Sequence, residues 1–362
     1  MSPRRRIRVL IVDDSAIVRK VLSEMLASEQ DLEVVGTAPD PYVARDRILS
    51  LHPDVLTLDI EMPRMDGLTF LKKLTHFHPM PVVLISSLAP ASCSAAIAAM
   101  ELGGAVEVLA KPGGPYSVAE LRPVLVDKIR AVAQSNRTKP TGVPAAEMLL
   151  PLAPSRPAAW RPPEGTLIAI GASTGGTEAV ASIVRRLPAG MPPILIVQHI
   201  PPVFSRAFAQ RLGQIGSLDV KEAEDGDRLA PGRVLVAPGD YHMILHRDAR
   251  GLCVQVRSGP RVCYQRPSVD VLFLSVAEMA SRRAVGVLLT GMGEDGAKGL
   301  LKMRQSGSQT MIQDEATSVV FGMPGAALKL GAAEHVVGLP SIPQRLLSML
   351  ESRPAAPAMA LR

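Results

Sequence analysis

Leu10-Ile11-Val12-Asp13-Asp14-Ser15 sets two carboxylates at the end of a short apolar run and a helix-starting serine behind them. The run reads as a buried strand, Arg8–Asp13, because it is short, β-branched and stopped by acids. From Ser15 the period changes. Val18, Val21, Leu22, Met25 and Leu26 fall on one face of a helix over Ser15–Ala27. The alternation then repeats, with strands expected at Glu33–Gly36, Val55–Asp59, Val82–Ser86 and Val106–Ala110. Five such units with parallel strands make an α/β, doubly wound (βα)5 domain over residues 1–132.

Upstream, Arg4, Arg5 and Arg6 followed by Ile7–Val12 have the outline of a signal-peptide opening, but Asp13 and Asp14 end the apolar run too early. Nowhere do about 18 apolar residues run together, so no membrane-inserted helix is expected. Downstream, residues 133–165 turn rich in proline, alanine and polar residues, as in Pro154-Ser155-Arg156-Pro157 and Arg161-Pro162-Pro163. This is an interdomain linker, extended and stiff in part, with the apolar patch Met148-Leu149-Leu150 inside it.

A second α/β region is expected over residues 166–352, with strands at Thr166–Ile170, Ile194–Gln198 and Val285–Leu289 and a helix over Thr177–Leu187. The turn-rich stretch Asp225–Val256 reads as short strands and hairpins inserted into that mostly parallel pattern. Residues 353–362 read as a disordered tail. Two doubly wound domains suit a chain of 362 residues.

The hydrophobic fraction of 47% and charged fraction of 20% are those of a globular protein. A net charge of +6 raises the question of a polyanion partner, yet the arginines are scattered and aromatic content is 3%, too low for base-stacking surfaces. No helix-turn-helix pattern follows the linker, so nucleic acid is not an expected partner. Cys93, Cys253 and Cys263 are odd in number and form no Cys-x-x-Cys pair, which suits reduced, buried thiols in a cytoplasmic protein and gives no zinc framework.

In a parallel sheet the carboxyl ends of the strands face one crevice. Asp13, Asp14 and Asp59 converge there, and three carboxylates need a cation; an all-oxygen, partly hydrated set suits Mg²⁺. Lys111, ending the fifth strand, supplies positive charge to an added phosphoryl group, and Ser86 supplies a hydroxyl. Helix capping is the bland alternative for any one of these residues. It does not account for five of them on four strand ends.

In the second region Gly171-Ala172-Ser173-Thr174-Gly175-Gly176 lies between strand and helix and contains Gly-x-Ser-x-Gly. Such a turn exposes a nucleophilic serine or cradles a phosphate, and the pentapeptide alone does not choose. The nucleotide fingerprints Gly-Lys-Ser/Thr and Gly-x-Gly-x-x-Gly are absent. His199 ends the next strand, and Thr290-Gly291-Met292-Gly293-Glu294-Asp295 repeats the strand-then-glycine design further on. Ser173, His199 and Asp295 at three strand ends match acyl-transfer logic, in a chain order different from that of an α/β-hydrolase. His76 and His78 fall in a loop after a helix. His242 and His246 have the spacing of some metal pairs but lack a third ligand nearby.

Leu58-Asp59-Ile60-Glu61-Met62-Pro63-Arg64-Met65-Asp66-Gly67, Ala110-Lys111-Pro112 and the opening hexapeptide closely resemble the response-regulator receiver family. That resemblance implies Asp59 as phosphoacceptor, Asp13 and Asp14 with Asp59 around Mg²⁺, and Ser86 and Lys111 sensing the acyl phosphate. Val108 departs from the pattern, standing where many receivers carry an aromatic switch residue, and puts the aromatic-rotation mode in doubt.

Ile170–Glu178, Gln198-His199, Arg266–Phe273, Leu289–Gly293 and Asp314–Ser318 look like the chemotaxis protein-glutamate methylesterase (CheB) family. The resemblance implies Ser173, His199 and Asp295 as the reacting set, with Thr174 and the Met292 amide as oxyanion or orienting groups and no cofactor for the esterase. It implies a glutamyl methyl ester on a chemoreceptor as substrate, deamidation of receptor glutamines, and a chemotaxis-type histidine kinase as phosphodonor. The competing reading is a receiver fused to a non-catalytic module that binds a phosphate-bearing ligand at Gly171–Gly176.

Overall fold

The computed structural model describes residues 5–87, 89–100, 106–111, 118–135 and 165–351. Pro112, the Met148–Leu150 patch and the tail 353–362 lie outside the described residues. The chain divides into two compact units, each with its own parallel sheet.

The first unit runs β1 (Ile7–Val12), α1 (Ala16–Ala27), β2 (Leu32–Ala38), α2 (Pro41–Leu51), β3 (Val55–Asp59), α3 (Gly67–Phe77), β4 (Val82–Ser86), α4 (Pro90–Met100), β5 (Val106–Ala110) and α5 (Val118–Ser135). All strands pair in parallel, in the order β2-β1-β3-β4-β5. Their runs are apolar because helices cover both faces: Val9, Leu10, Ile11, Leu56, Leu58 and Leu84 are fully buried. The order reverses between β1 and β3, so their carboxyl ends frame the crevice where such sheets bind ligands. Strands β3, β4 and β5 have the expected bounds. Helix α5 continues to Ser135, into the stretch expected as linker.

Capping falls to other residues than the crevice acids. Ser15 accepts from the Val18 N–H, Asp40 from Tyr42 and Val43, and Asp66 from Thr69. His76 lies in the last turn of α3 and His78 caps its end, so neither sits in a loop beyond the helix.

The second unit runs β6 (Leu167–Ala172), α6 (Gly176–Arg186), β7 (Ile194–Gln198), α7 (Phe204–Ile215), β8 (Asp219–Glu222), β9 (Arg233–Val236), β10 (His242–Asp248), β11 (Gly251–Arg257), α8 (Val269–Met279), β12 (Ala284–Leu288), α9 (Ala297–Gln305), β13 (Gln309–Gln313), α10 (Met323–Lys329), β14 (His335–Val337) and α11 (Ile342–Glu351). Seven strands form a parallel sheet in the order β14-β13-β12-β6-β7-β9-β8. Part of the stretch expected as inserted short strands and hairpins thus belongs to the main sheet, since β9 pairs in parallel with both β7 and β8. Only β10 and β11 form a separate antiparallel hairpin.

The chain enters this sheet at β6, adds β7, forms the edge strand β8, fills the gap between them with β9, and returns to place β12 on the other side of β6. The switch point is therefore the carboxyl end of β6, flanked by the ends of β7 and β12. All six residues of β6 are buried, which fixes Ser173, the next residue, against the sheet.

Candidate active site

Ser173 follows β6, His199 follows β7, and Asp295 closes the loop after β12; all three are buried. The Ser173 N–H donates to the Thr290 carbonyl at 3.0 Å, tying the β6 turn to the β12 loop. The Ser173 carbonyl accepts from Gly176 N–H and from Gln198 Nε2, at 2.7 and 2.8 Å. The His199 N–H donates to the Ala172 carbonyl at 3.1 Å. Gly291 is a close-approach glycine: a Cβ there would meet the Ser173 Cβ at 2.7 Å. The left-handed residue of the turn is Gly175, with φ of 74°, and it precedes α6, whose N-terminus faces the serine turn.

His199 Nε2 lies 2.8 Å from Asp295 Oδ2. A carboxylate only accepts, so Nε2 carries the proton. Nδ1 is then the accepting nitrogen, and it is buried without a hydrogen-bond partner. Asp295 takes three further bonds: from Ser268 Oγ at 2.8 Å, Val269 N–H at 2.7 Å and Asp270 N–H at 3.0 Å. The carboxylate is thus docked on the N-terminus of α8, where free amides and the helix dipole favour an anion. Burial by itself pushes the Asp295 carboxyl up, but the His199 bond and charge and the α8 amides outweigh it and hold it below its usual value.

Thr174 is buried, and its carbonyl accepts from Thr290 Oγ1 at 2.9 Å; Met292 follows Gly291 in the loop packed on Ser173. Gln198, Ser268 and Gln313, which receives the Thr290 N–H at 2.9 Å, support the site and were given no role from sequence. Ser268 lies within the Arg266–Phe273 motif, but only the fold shows that it reaches Asp295. Cys263 Sγ and the Asp270 carboxylate lie within 4.8 Å of the Asp295 carboxylate. Burial and these carboxylates push the Cys263 thiol up, which keeps it protonated.

In the first unit Asp13, Asp14 and Asp59 bring their carboxylates within 4.8 Å of one another. Asp59 Oδ1 accepts the Glu61 N–H at 3.0 Å, and Oδ2 accepts from Lys111 Nζ at 2.7 Å. Lys111 Nζ lies 3.7 Å from Asp13 Oδ2, and its backbone N–H donates to the Ser86 carbonyl. Burial, opposed by Lys111 and reinforced by the Asp13 charge, pushes Asp59 up to about 6. Asp13 Oδ2 is buried without a hydrogen-bond partner. An orphaned buried oxygen among like charges fits a hard cation. Gly67 has no room for a side chain, since a Cβ there would meet the Asp59 carbonyl oxygen at 2.0 Å. Val108 is buried in β5, opposite Leu84.

The family model for CheB methylesterase matches residues 168–346, and that for the response regulator receiver domain matches residues 9–121. A protein-glutamate methylesterase/protein-glutamine glutaminase of Syntrophus aciditrophicus is 50% identical over 345 residues, 95% of this chain and 99% of the relative. The chain belongs to the CheB methylesterase family. The Escherichia coli K12 protein of the same description is 47% identical over 351 residues, covering 96% of this chain and 98% of its own. The crystal structure of the Thermotoga maritima CheB methylesterase catalytic domain covers 51% of this chain and 99% of its own, at 38% identity and a TM-score of 0.50. The CheB membership joins both pockets in one chain, a receiver crevice and a hydrolase crevice. No helix among the described residues is long and apolar enough to cross a membrane.

Proposed function

We propose that this chain is a phosphorylation-regulated serine hydrolase that removes methyl esters from glutamates of chemoreceptors and deamidates receptor glutamines. The observation that carries the reading is the buried His199–Asp295 pair, bonded through Nε2 with Nδ1 left to accept a proton. A module that only bound a phosphate would have no use for it. The relatives' description as methylesterase and glutaminase favours hydrolysis in the same way.

In this mechanism Ser173 Oγ attacks the ester carbonyl carbon as its proton passes to His199 Nδ1. Asp295 holds the ring's tautomer and stabilises the imidazolium. Thr174 and the Met292 amide are the assigned oxyanion or orienting groups. Collapse of the tetrahedral intermediate breaks the C–O bond, and His199 returns the proton to the departing methoxide, giving methanol. Water, deprotonated by the same histidine, then releases glutamate and restores Ser173. A glutamine amide follows the same path with ammonia leaving.

The receiver crevice takes the phosphoryl group on Asp59, with a chemotaxis-type histidine kinase as donor. Asp13, Asp14 and Asp59 are the residues that would hold Mg²⁺, which offsets their charge and that of the incoming phosphoryl oxygens. Lys111 and Ser86 bind those oxygens. We divide the chain into a receiver at 1–135, closing with α5, and a catalytic domain at 166–352, joined by the residues between them. The reading is tested with Ser173→Ala: methanol release from methylated receptor membranes falls to background while the thermal midpoint stays near wild type. Retained turnover would overturn it.

A further inference from the structure

The i, i+4 pair His242 and His246 lies on a strand, where four residues span about 13 Å, too far apart to share an ion. His242 has a different setting. We infer that His242 and Ser268 are positioning residues for the hydrolysis, fixing the Asp295 carboxylate from the β10–β11 hairpin; this rests on the reading of Asp295 as partner of the catalytic His199.

His242 opens β10 and is buried. Its Nδ1 lies 3.2 Å from the Ser268 backbone nitrogen, whose N–H can only donate. Its Nε2 lies 2.9 Å from the Pro260 carbonyl oxygen, which can only accept. Both neighbours select the same tautomer, with the proton on Nε2. The ring therefore serves as a fixed acceptor that clamps the Ser268 backbone from outside α8.

Ser268 is itself fully buried, and its Oγ donates to Asp295 Oδ1 at 2.8 Å. The next two amides, from Val269 and Asp270, complete the set on Asp295. Three of the four donors to this carboxylate thus come from consecutive residues, and the first of them is held by His242. With Oδ1 taken by Ser268 and Asp270, rotation of the carboxylate is fixed and Oδ2 remains directed at His199.

The hairpin is fastened to α8 well enough to act this way. Met243 and Leu245 pack in one core with Val269, Leu272, Phe273 and Val276. The Leu245 N–H donates to Ser275 Oγ at 2.9 Å, a second bond between β10 and α8. The three residues from His242 to Leu245 and the seven from Ser268 to Ser275 each span about 10 Å along strand and helix. The strand therefore runs in step with the first two turns of the helix.

A lost hydrogen bond to a charged group, expressed in the transition state, corresponds to about tenfold or more in rate. In the full-length protein, Ser268→Ala is expected to lower kcat for methanol release by about that factor, normalised to folded protein, with KM within about twofold. The downfield imidazole N–H proton of the His199–Asp295 bond should shift or broaden in proton NMR. His242→Asn, whose Oδ1 replaces Nδ1 as acceptor for the Ser268 N–H, should keep more activity than His242→Gln, which reaches the Pro260 carbonyl instead. Capping of α8 alone would lower stability but leave kcat per folded molecule and the downfield proton unchanged. That result for Ser268→Ala, or glutamine equal to or above asparagine at position 242, overturns the proposal. Asp295→Asn measured alongside separates the two levels: if it too keeps full activity, the reading of Asp295 fails, and this proposal with it.

Discussion

His199 Nε2 and Asp295 Oδ2 meet at 2.8 Å between two buried side chains, and every remaining acceptor position used on Asp295 is filled from Ser268, the cap of α8, and the first two residues of that helix. The bond fixes which imidazole nitrogen is free. That is the tautomer the proposed reaction requires of His199, with Nδ1 left to accept the Ser173 proton.

Asp295→Asn puts an amide where only an acceptor fits. Its NH2 group donates to Nε2 and drives the ring proton to Nδ1, the nitrogen that must accept from Ser173. We expect kcat for methanol release to fall about 10⁴-fold. A loss below tenfold would show that Asp295 does not set the tautomer.

The same carboxyl predicts how acid acts on stability. Its folded pKa is lowered, so its contribution is complete above the unfolded value of about 4 and is lost as pH falls through the folded one. Denaturant unfolding of the catalytic domain, followed in the full-length chain from pH 7 to 3, should show the wild-type advantage over Asp295→Asn constant above about pH 5 and shrinking below pH 4. An advantage that grows on acidification would contradict the sign.

Gly171 lets α8 reach the serine turn, since a Cβ there would meet Val269 Cγ1 at 2.2 Å. Val269 also supplies an amide to Asp295. Gly171→Ala should cost about 1–3 kcal/mol by overpacking and lower kcat as well, because the displaced segment carries the Asp295 cradle. Urea unfolding and methanol release on the same preparation check both. Unchanged values for both would contradict the packing.

Asp59→Asn should leave basal hydrolysis and remove its stimulation by acetyl phosphate. EDTA should do the same to the wild type, because only the receiver crevice is assigned a cation. Loss of basal activity on chelation would place a metal in the esterase instead.

The strands were legible where burial on both faces leaves only apolar residues, so β3, β4, β5 and β7 have the bounds expected from their runs. The placement of Asp13, Asp59, Lys111, Ser173 and His199 at strand ends followed from the same rule. What was hidden is long-range. Strand β9 is short and its pairing with β7 depends on the chain's return across the sheet, so Asp225–Val256 reads from sequence as inserted short strands and hairpins, with no sign that one of them joins the main sheet. Ser268 reaches Asp295 across 27 positions of sequence, and no local pattern announces it. His242 and His246 drew notice through a helical spacing that a strand pulls apart.

The account joins a serine hydrolase to a receiver, and one assay reads both: methanol released from methylated chemoreceptor membranes by the full-length protein, with and without acetyl phosphate and Mg²⁺. It predicts release that rises on phosphorylation, is abolished by Ser173→Ala, and no longer rises in Asp59→Asn. Methanol release by Ser173→Ala at the wild-type rate would contradict it.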